Sequence, residues 1–462
     1  MNMLSNSNAE RDARSIVHPY SNLSLDSRER LLTIVKGDGC YVEDDQGNRY
    51  LEGMAGLWCT SLGFSEERLA EVASTQLRTL PYYHLFNHRS TEPSINLAEK
   101  LLEIAPEGLS KVLFANSGSE ANDQAVKLVW YYNNQKGRPE KKKILSRWRG
   151  YHGVTVAAGS LTGLPANHAD FDLPIKNILH ADCPSHYHHA NPGETEEDFA
   201  ARLAESLEAQ ILAEGPETVA ALIAEPVSGS GGVIVPPKGY YERVQEILKK
   251  YDILLVADEV ICGFGRTGKM FGCETFGLKP DIMTVAKALS SSYLPISATL
   301  VSDEIYDAMV DESRKQGVFA HGVTYAGHPV CAAVALETLK IYEERDILGH
   351  VAEVSPHFLE RLHRLGAHPH VSHTRGVGLI GAIELVVDKE SRRPFPPEQG
   401  VGARIQLHLQ RNGVIVRALR DAVAFCPPLI ISKAEIDVLF DAMENALKYL
   451  EQELAPRLSP SE

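Results

Sequence analysis

The sequence predicts an α/β protein, with a large domain on a mostly parallel, doubly wound sheet and a smaller α+β domain. The main observation is that short apolar runs alternate with helical patterns between about residues 95 and 325. Helical patterns lie, for example, at 120–133, 200–213 and 240–250. Strands that alternate with helices in this way form parallel sheets with helices on both faces. The predicted strands are 111–114, 143–146, 220–224, 253–257, 282–285 and 298–301.

The segments on either side of this region predict the smaller domain. Residues 1–30 have the pattern of an irregular arm, and 41–51 alternates around a glycine in a way typical of a hairpin. Towards the C-terminal end, a long helical pattern is followed by alternation at 376–385 and an amphipathic helix at 433–450. We predict that residues 1–60 form an N-terminal arm and hairpin that belong to the small domain. Residues 61–328 would form the large domain, and residues 329–462 the C-terminal small domain.

Composition indicates a soluble globular protein without a nucleic-acid or membrane partner. The chain has 462 residues, 44% of them hydrophobic and 23% charged, which suits two or three packed domains. A formal net charge of −15 argues against binding nucleic acid, which requires clustered Lys and Arg. Seven cysteines without CxxC spacing predict reduced thiols. Because the first ten residues are polar and no apolar run approaches about 18 residues, we expect a cytoplasmic protein.

Two charged residues follow predicted buried strands. Asp258 comes directly after the apolar run 253–257, and Lys287 follows 282–285. A buried carboxylate is costly unless it is paired, and a lysine shielded from water loses its proton and becomes a nucleophile. An acid for a protonated ring nitrogen and an amine for a carbonyl carbon are what pyridoxal phosphate requires. Taken singly, Asp258 is also compatible with a helix cap or an ion pair, and Lys287 with a surface position.

Small residues at the end of another predicted strand suggest a phosphate site. Ser117, Gly118 and Ser119 lie between strand 111–114 and a predicted helix. At a helix N-terminus, backbone N–H groups and the dipole favour an anion. The same residues also fit a plain serine N-cap. Because open sheets bind ligands at the carboxyl ends of their strands, we expect this segment to lie beside Asp258 and Lys287.

Two further patterns are interpreted as structural. Residues 263–268 fit GxGxxG, but no clear helix follows them, whereas a dinucleotide site needs strand, turn and helix in succession. His186, His188 and His189 lie near Cys183, but no carboxylate is placed to complete a metal site. We therefore predict no dinucleotide site and no metal.

Together, the motifs resemble the class III pyridoxal-phosphate aminotransferases of fold type I, specifically their omega-amine:pyruvate branch. The resemblance runs from about residue 32 to 447 and involves several independent motifs in the same order. The matching segments are 54–59, 117–123, 150–153, 224–227, 257–268, 286–287 and 324–329.

The resemblance implies a role for each matching residue. Lys287 would be the catalytic lysine, bonded to pyridoxal 5'-phosphate in the large domain and then moving protons. Asp258 would pair with the ring nitrogen. The remaining residues expected to bind the cofactor are Ser117, Gly118, Ser119, Tyr151, His152, Glu225, Val260 and Thr324.

The resemblance also implies a shared active site. Thr324 would reach the phosphate from the neighbouring subunit, so a homodimer is expected, with a tetramer left open. Trp58 and Tyr151 would form walls of the substrate pocket, and Phe86 would come from the partner chain. Arg417 corresponds to the arginine that binds the substrate carboxylate, for which a guanidinium fork is suited.

Two positions near Arg417 bear on substrate choice. Relatives of the ornithine and GABA type hold this arginine on a glutamate, and Ser230 stands at that position here. A serine cannot pair a guanidinium, which favours direct binding of pyruvate and disfavours those two branches. Arg420 would accommodate a second acidic group if it faces the pocket. It would have no bearing on substrate if it pairs with Asp421 on the surface.

We therefore predict an amine:pyruvate transaminase. Its donor would be a primary amine or omega-amino acid, of the amine, polyamine, β-alanine or taurine type. Its products would be an aldehyde or ketone and alanine. Two alternatives stay open: a pyridoxal-phosphate aminomutase, racemase or decarboxylase, and a catalytically silent homologue that binds the cofactor. The identity and stereochemistry of the donor are left open.

Overall fold

The computed structural model describes residues 7–25 and 31–454, and helices alternate with strands through its middle. The helices are α1 (Asn8–Ser15), α2 (Ala55–Trp58), α3 (Glu67–Thr79), α4 (Glu92–Ile104), α5 (Gly118–Gln135), α6 (Val156–Leu161), α7 (His186–His189), α8 (Glu196–Glu214), α9 (Tyr240–Lys250), α10 (Gly272–Phe276), α11 (Asp303–Gln316), α12 (Pro329–Glu344), α13 (Ile347–Arg364), α14 (Val401–Arg411) and α15 (Lys433–Tyr449).

The strands begin before α2 and end before α15. They are β1 (Ile34–Asp38), β2 (Tyr41–Asp44), β3 (Arg49–Glu52), β4 (Leu109–Ala115), β5 (Lys143–Arg147), β6 (Ile178–Ala181), β7 (Val219–Ala224), β8 (Leu254–Asp258), β9 (Ile282–Val285), β10 (Ser297–Ser302), β11 (Val371–Val377), β12 (Ile380–Leu385), β13 (Val414–Ile415), β14 (Arg417–Leu419) and β15 (Ala422–Phe425).

The central sheet confirms the predicted α/β fold class. Its strand order is β4-β10-β9-β8-β7-β5-β6, and β10 is antiparallel to both of its neighbours. The pairs from β6 to β9 are parallel. All six predicted strands are present, and the sequence reasoning missed only the edge strand β6 of this sheet. Ile178–Ala181 is four residues long and includes a histidine, so its apolar signal is weak.

Alternate residues of one strand enter different cores, because side chains of a strand point to opposite faces. In β8, Leu254 and Val256 pack in the cluster that includes residues of α5 and α11. Leu255 and Ala257 pack in the cluster that includes residues of α8 and α9. The sheet is therefore covered by helices on both faces, and the apolar run of β8 reflects burial on both sides.

Two smaller sheets accompany the central one. The predicted hairpin forms as β2 and β3, and β13 adds to β3 in parallel, with Val414 opposite Leu51. Strands β11, β12, β15 and β14 form the other small sheet. The N-terminal hairpin thus shares a sheet with the C-terminal part of the chain. The domain boundaries at 60 and 328 stay a prediction, and residues 1–6, 26–30 and 455–462 of those domains lie outside the described residues.

Two helical segments differ from the sequence prediction. The arm contains helix α1, capped by Ser7, whose hydroxyl accepts a hydrogen bond from the backbone of Glu10 at 3.2 Å. The long helical pattern after residue 329 is divided into α12 and α13. Asp346 has φ +45° at the break and accepts a hydrogen bond from Gly349 N at 3.1 Å, so it caps the second helix. In the described ranges, no helix is long and apolar enough to cross a membrane.

Candidate active site

Asp258 lies at the carboxyl end of β8 with a full set of hydrogen bonds. Its Oδ2 accepts from Asn122 Nδ2 at 2.8 Å and from His152 Nδ1 at 2.7 Å. Its Oδ1 accepts from the backbone of Val260 at 3.0 Å. Asn122 is fixed in turn, because its Oδ1 accepts from Thr284 Oγ1 at 2.9 Å. The carboxylate is buried, and three donors from separate segments of the chain determine its position.

Lys287 begins a short 3-10 helix directly after β9. Its φ is +50°, a left-handed conformation that a non-glycine residue adopts only where the surrounding structure imposes it. Burial lowers the pKa of Lys287 below that of a free lysine, and the nearby charges of Asp258 and Glu225 offset part of this effect. The amine therefore releases its proton more readily than an exposed lysine does.

A single cavity of about 1290 Å³ contains both residues. It lies at the carboxyl ends of β8 and its neighbours, as expected for an open sheet. Of the residues predicted from the sequence, those that line it are Trp58, Gly118, Ser119, Tyr151, His152, Glu225, Ser230, Asp258, Val260, Lys287, Arg417 and Arg420. Most of the predicted site therefore meets in one place.

The start of α5 contributes backbone and hydroxyl groups to the cavity. Gly118 lies so close to Val260 that a Cβ on it would be 3.0 Å from the valine Cγ1. Ser119 Oγ accepts a hydrogen bond from Val154 N at 3.1 Å. Ser117 acts as the N-cap instead: its hydroxyl accepts from Glu120 N at 3.2 Å, and Glu120 bonds back to it. Of the two interpretations of this segment, the serine N-cap is therefore the one that applies to the Ser117 hydroxyl.

Glu225 holds the loop that carries Tyr151. Its Oε1 accepts from Tyr151 N at 2.9 Å, and its Oε2 accepts from Gly229 N at 3.0 Å. Burial raises the pKa of the Glu225 carboxyl. Trp58 forms another wall, almost completely buried and with φ +64°. These contacts fix the backbone behind the aromatic ring of Tyr151, so that the ring can lie against a flat ligand.

Arg417 and Arg420 both line the cavity from the β14–β15 hairpin. Burial lowers the pKa of Arg417, and Tyr151 and Tyr20 lie close enough to act in the opposite direction. Throughout residues 7–25 and 31–454, neither guanidinium forms an ion pair with a carboxylate. Arg420 therefore does not pair with Asp421, and of the two alternatives for Arg420 the structure shows the pocket-facing one.

Phe86 and Thr324 lie apart from this cavity in the single chain. Both are exposed, Phe86 to 41%. They are neighbours, because a Cβ on Gly322 would lie 2.5 Å from the Phe86 ring, and the carbonyl of Thr324 accepts from Tyr82 Oη at 2.8 Å. Their roles as contributions from a partner subunit stay a prediction.

Two site residues were not recognised from the sequence. Asn122 lies within a quoted motif, but its bond to Asp258 spans 136 positions and has no local signature. Tyr20, in the arm, lines the cavity with its ring 6.4 Å from that of Tyr151, and its hydroxyl accepts from Asn167 Nδ2 at 2.6 Å. No pattern in the sequence of the arm marked it as a site residue.

The GxGxxG pattern and the histidine group both contact other parts of the chain. Residues 263–268 form a turn in which Arg266 Nη1 donates to the carbonyls of Leu379 and Pro427 at 2.9 and 2.6 Å. Near the histidines, His188 contacts Glu384 at 3.3 Å. In the part of the chain that is described, no group of three or more His, Cys, Asp or Glu side chains is arranged to hold a metal ion.

Comparison with known proteins identifies relatives along nearly the whole chain. The class-III aminotransferase family model matches residues 24–447. Gamma aminobutyrate transaminase 3, chloroplastic, from Solanum lycopersicum is 54% identical over 418 residues, which is 90% of this chain and 80% of that protein. Gamma-aminobutyrate transaminase 1, mitochondrial, from Oryza sativa subsp. indica is 53% identical over 425 residues, which is 92% of this chain and 82% of that protein.

Solved structures agree with this result. The omega transaminase from Pseudomonas jessenii in complex with PMP is 52% identical, with a TM-score of 0.96 over 98% of this chain and 100% of that one. A thermostable mutant from the same organism is 53% identical, with a TM-score of 0.94 over 96% and 98%.

The relatives correct one sequence argument. Ser230 was expected to disfavour relatives of the GABA type, yet proteins more than 50% identical carry that name. Ser230 lines the same cavity as Arg417, and no described carboxylate pairs with that guanidinium.

The chemistry of the site fits the cofactor of this family. The Lys287 side chain makes no hydrogen bond or ion pair with the described residues, and Asp258 is held at the floor of the same cavity. The start of α5 offers backbone N–H groups suited to a phosphate. With the family model matching residues 24–447, the chain belongs to the class-III aminotransferases and is a pyridoxal-phosphate enzyme of fold type I.

Proposed function

We propose that the enzyme transfers an amino group from a primary amine or omega-amino acid to pyruvate, giving an aldehyde or ketone and alanine. The observation that supports pyruvate as the acceptor is the position of Arg417. Its guanidinium lines the cavity that contains Lys287, and it forms no ion pair with any described carboxylate. A fork of N–H donors in a partly desolvated cavity binds a small carboxylate strongly.

The donor class is supported by the size of the cavity and by the relatives. A volume of about 1290 Å³ exceeds the usual range of ligand pockets, so an extended amine fits beside a cofactor. The named relatives are transaminases of gamma-aminobutyrate, and the structural neighbours are omega transaminases. Amines, polyamines, β-alanine and taurine remain the candidate donors.

Each residue has a proposed task. When bound, pyridoxal phosphate supplies the ring that accepts electrons from the substrate carbon. Lys287 moves the proton at that carbon, for which a lysine of lowered pKa is suited. Asp258 would hold the ring nitrogen, and Tyr151 and Val260 would lie against the two faces of the ring. Gly118 and Ser119 would bind the phosphate.

We also propose a homodimer with shared sites. The support is that Phe86 and Thr324 are exposed together in the single chain. Burying such a surface against a second copy would complete the site. Whether two dimers form a tetramer, and whether the protein is cytoplasmic, stay predictions.

The test is a panel of amine donors offered to the holoenzyme with pyruvate as acceptor. We expect alanine to form in equal amounts with the aldehyde or ketone of the donor. The control replaces pyruvate by acetaldehyde, which lacks the carboxylate that Arg417 would bind. Equal turnover with pyruvate and with acetaldehyde would show that the proposed reaction is wrong. So would conversion of the donor with pyruvate that gives no alanine.

A further inference from the structure

The cavity contains a second group of cations besides Arg417. Arg149 and Arg420 line it together with Cys183, Ser230 and Gly231. Tyr151 and Tyr20 lie near Arg417, whereas Glu384, Arg375 and Arg420 lie near Arg149. Two cationic positions therefore exist along one cavity.

The backbone fixes the position of Arg149. Its φ is +65°, and a Cβ on Gly231 would lie 1.8 Å from its carbonyl oxygen, so the two segments are in direct contact. The side chain is partly buried, and Nη1 contacts the ring of His188 at 3.2 Å. A guanidinium whose backbone is fixed and whose side chain lines a cavity is well placed to bind a ligand.

The nearest carboxylate is already used by another arginine. Glu384 Oε2 lies 2.8 Å from Arg375 Nη2, and Glu384 Oε1 lies 3.3 Å from His188 Nε2. Arg149 and Arg375 converge over Gly232, where a Cβ would lie 2.8 and 3.3 Å from their respective Nη2 atoms. One carboxylate thus faces two guanidinium groups, and Arg149 forms no ion pair of its own with a described carboxylate.

Arg420 adds to this positive charge. It has φ +60° at the turn between β14 and β15, and a Cβ on Gly402 would lie 1.9 Å from its carbonyl oxygen, which fixes the turn. Burial is the main cause that lowers the pKa of Arg149, and the charges of Arg375 and Arg420 lower it further. The positive charge of Arg420 thus acts on Arg149, and both residues line the same cavity.

Two other charged residues that line this cavity, Arg202 and Asp182, each have a hydrogen-bond partner. Arg202 donates to Glu194 from Nε and Nη2, both at 2.7 Å. Asp182 accepts a hydrogen bond from Ser206 Oγ at 2.6 Å. Within the described residues, no ion pair neutralises Arg149 or Arg420. An anionic ligand group would relieve their mutual repulsion and provide the missing acceptor.

We propose that Arg149 and Arg420 form a second anion site, which takes the acidic group at the far end of an omega-amino acid. This proposal rests on the proposed function and names the donor class: amines that carry a carboxylate or sulfonate remote from the nitrogen. Arg417 serves the short acceptor. The carboxylate of the acceptor and the acidic group of the donor are thus bound by different arginines.

The test uses two donors of equal length, 7-aminoheptanoate and heptylamine, which differ by the terminal carboxylate. The variants are Arg149→Gln, Arg420→Gln and their combination, each with pyruvate as acceptor. Arg202→Gln is the matched control, because it removes an arginine from the same cavity whose charge Glu194 already compensates. Binding of heptanoate to the holoenzyme, measured by calorimetry, provides a readout that needs no turnover.

We expect the wild-type enzyme to prefer 7-aminoheptanoate. The combined variant should raise the KM for this donor by about tenfold or more, the effect of losing a charged hydrogen bond, and weaken heptanoate binding similarly. The KM values for heptylamine and pyruvate should not change, and Arg202→Gln should behave as wild type.

Equal losses for both donors, or unchanged heptanoate binding in the combined variant, would overturn the second anion site. So would a wild-type enzyme without preference for the acid. If no donor yields alanine from pyruvate, the proposed function fails separately, and the calorimetry alone then decides about the two arginines.

Discussion

His152 Nδ1 lies 2.7 Å from Asp258 Oδ2, and both side chains are buried at the floor of the cavity. Asn122 donates to the same oxygen at 2.8 Å and to the carbonyl of His152 at 2.7 Å. The three residues come from α5, the loop after β5 and the end of β8. They form one network that orients the carboxylate proposed to hold the cofactor ring.

Replacing Asn122 by Ala should lower kcat/KM by about ten- to a hundredfold, because a buried carboxylate loses one charged hydrogen bond. Cofactor affinity, followed by the absorbance of the bound form, should fall with it. Asn133→Ala is the control: Asn133 is also buried in α5, but its Nδ2 bonds Val129 O at 2.9 Å. Similar losses in both variants would indicate damage to the helix and would contradict a specific role of Asn122.

Gly153 is expected to tolerate no side chain. A Cβ on it would lie 2.4 Å from Ser119 Oγ, and its φ is +135°. Gly153→Ala should therefore displace Ser119 and weaken retention of the cofactor during dialysis. At Gly137, φ is +71° and nothing lies within 4 Å of a Cβ, so Gly137→Ala imposes backbone strain alone. If the two variants lose the cofactor at the same rate, Ser119 is not a phosphate ligand.

Arg417→Gln should raise the KM for pyruvate by at least about tenfold, since a charge-assisted bidentate contact is lost. The KM for an uncharged amine donor should stay within about twofold. Steady-state kinetics with both substrates varied separates the two effects. A parallel increase in both KM values would contradict the assignment of Arg417 to the acceptor carboxylate.

Because His180 is buried, we expect the protein to lose stability in mild acid. Burial, together with His168 and His152, lowers its pKa to about 4, and its ring is stacked on Trp148 at 4.5 Å. The unfolded chain takes up this proton near pH 6.5, so the contribution of neutral His180 is present above that pH and is lost as the pH falls towards 4. The free energy of unfolding should fall less steeply between pH 6.5 and 4 in His180→Gln, and identical slopes would refute this.

Much of the fold could be predicted because burial on two faces leaves a strong pattern. Residues 253–257 are apolar without interruption since both faces of β8 are covered, and the end of such a strand marks Asp258 as a site residue. Contacts between distant segments leave no such pattern. Tyr20 reaches the cavity from the arm, and Arg149 and Arg420 line the same cavity from two separate turns of the chain.

The proposed reaction depends most on Lys287. With saturating pyridoxal phosphate, an accepted amine and pyruvate, Lys287→Ala should form no alanine above background, whereas the exposed Lys269→Ala should match wild type. Circular dichroism establishes that both variants are folded. Sustained alanine formation by folded Lys287→Ala would contradict the central claim that this lysine carries the proton transfer of a transaminase.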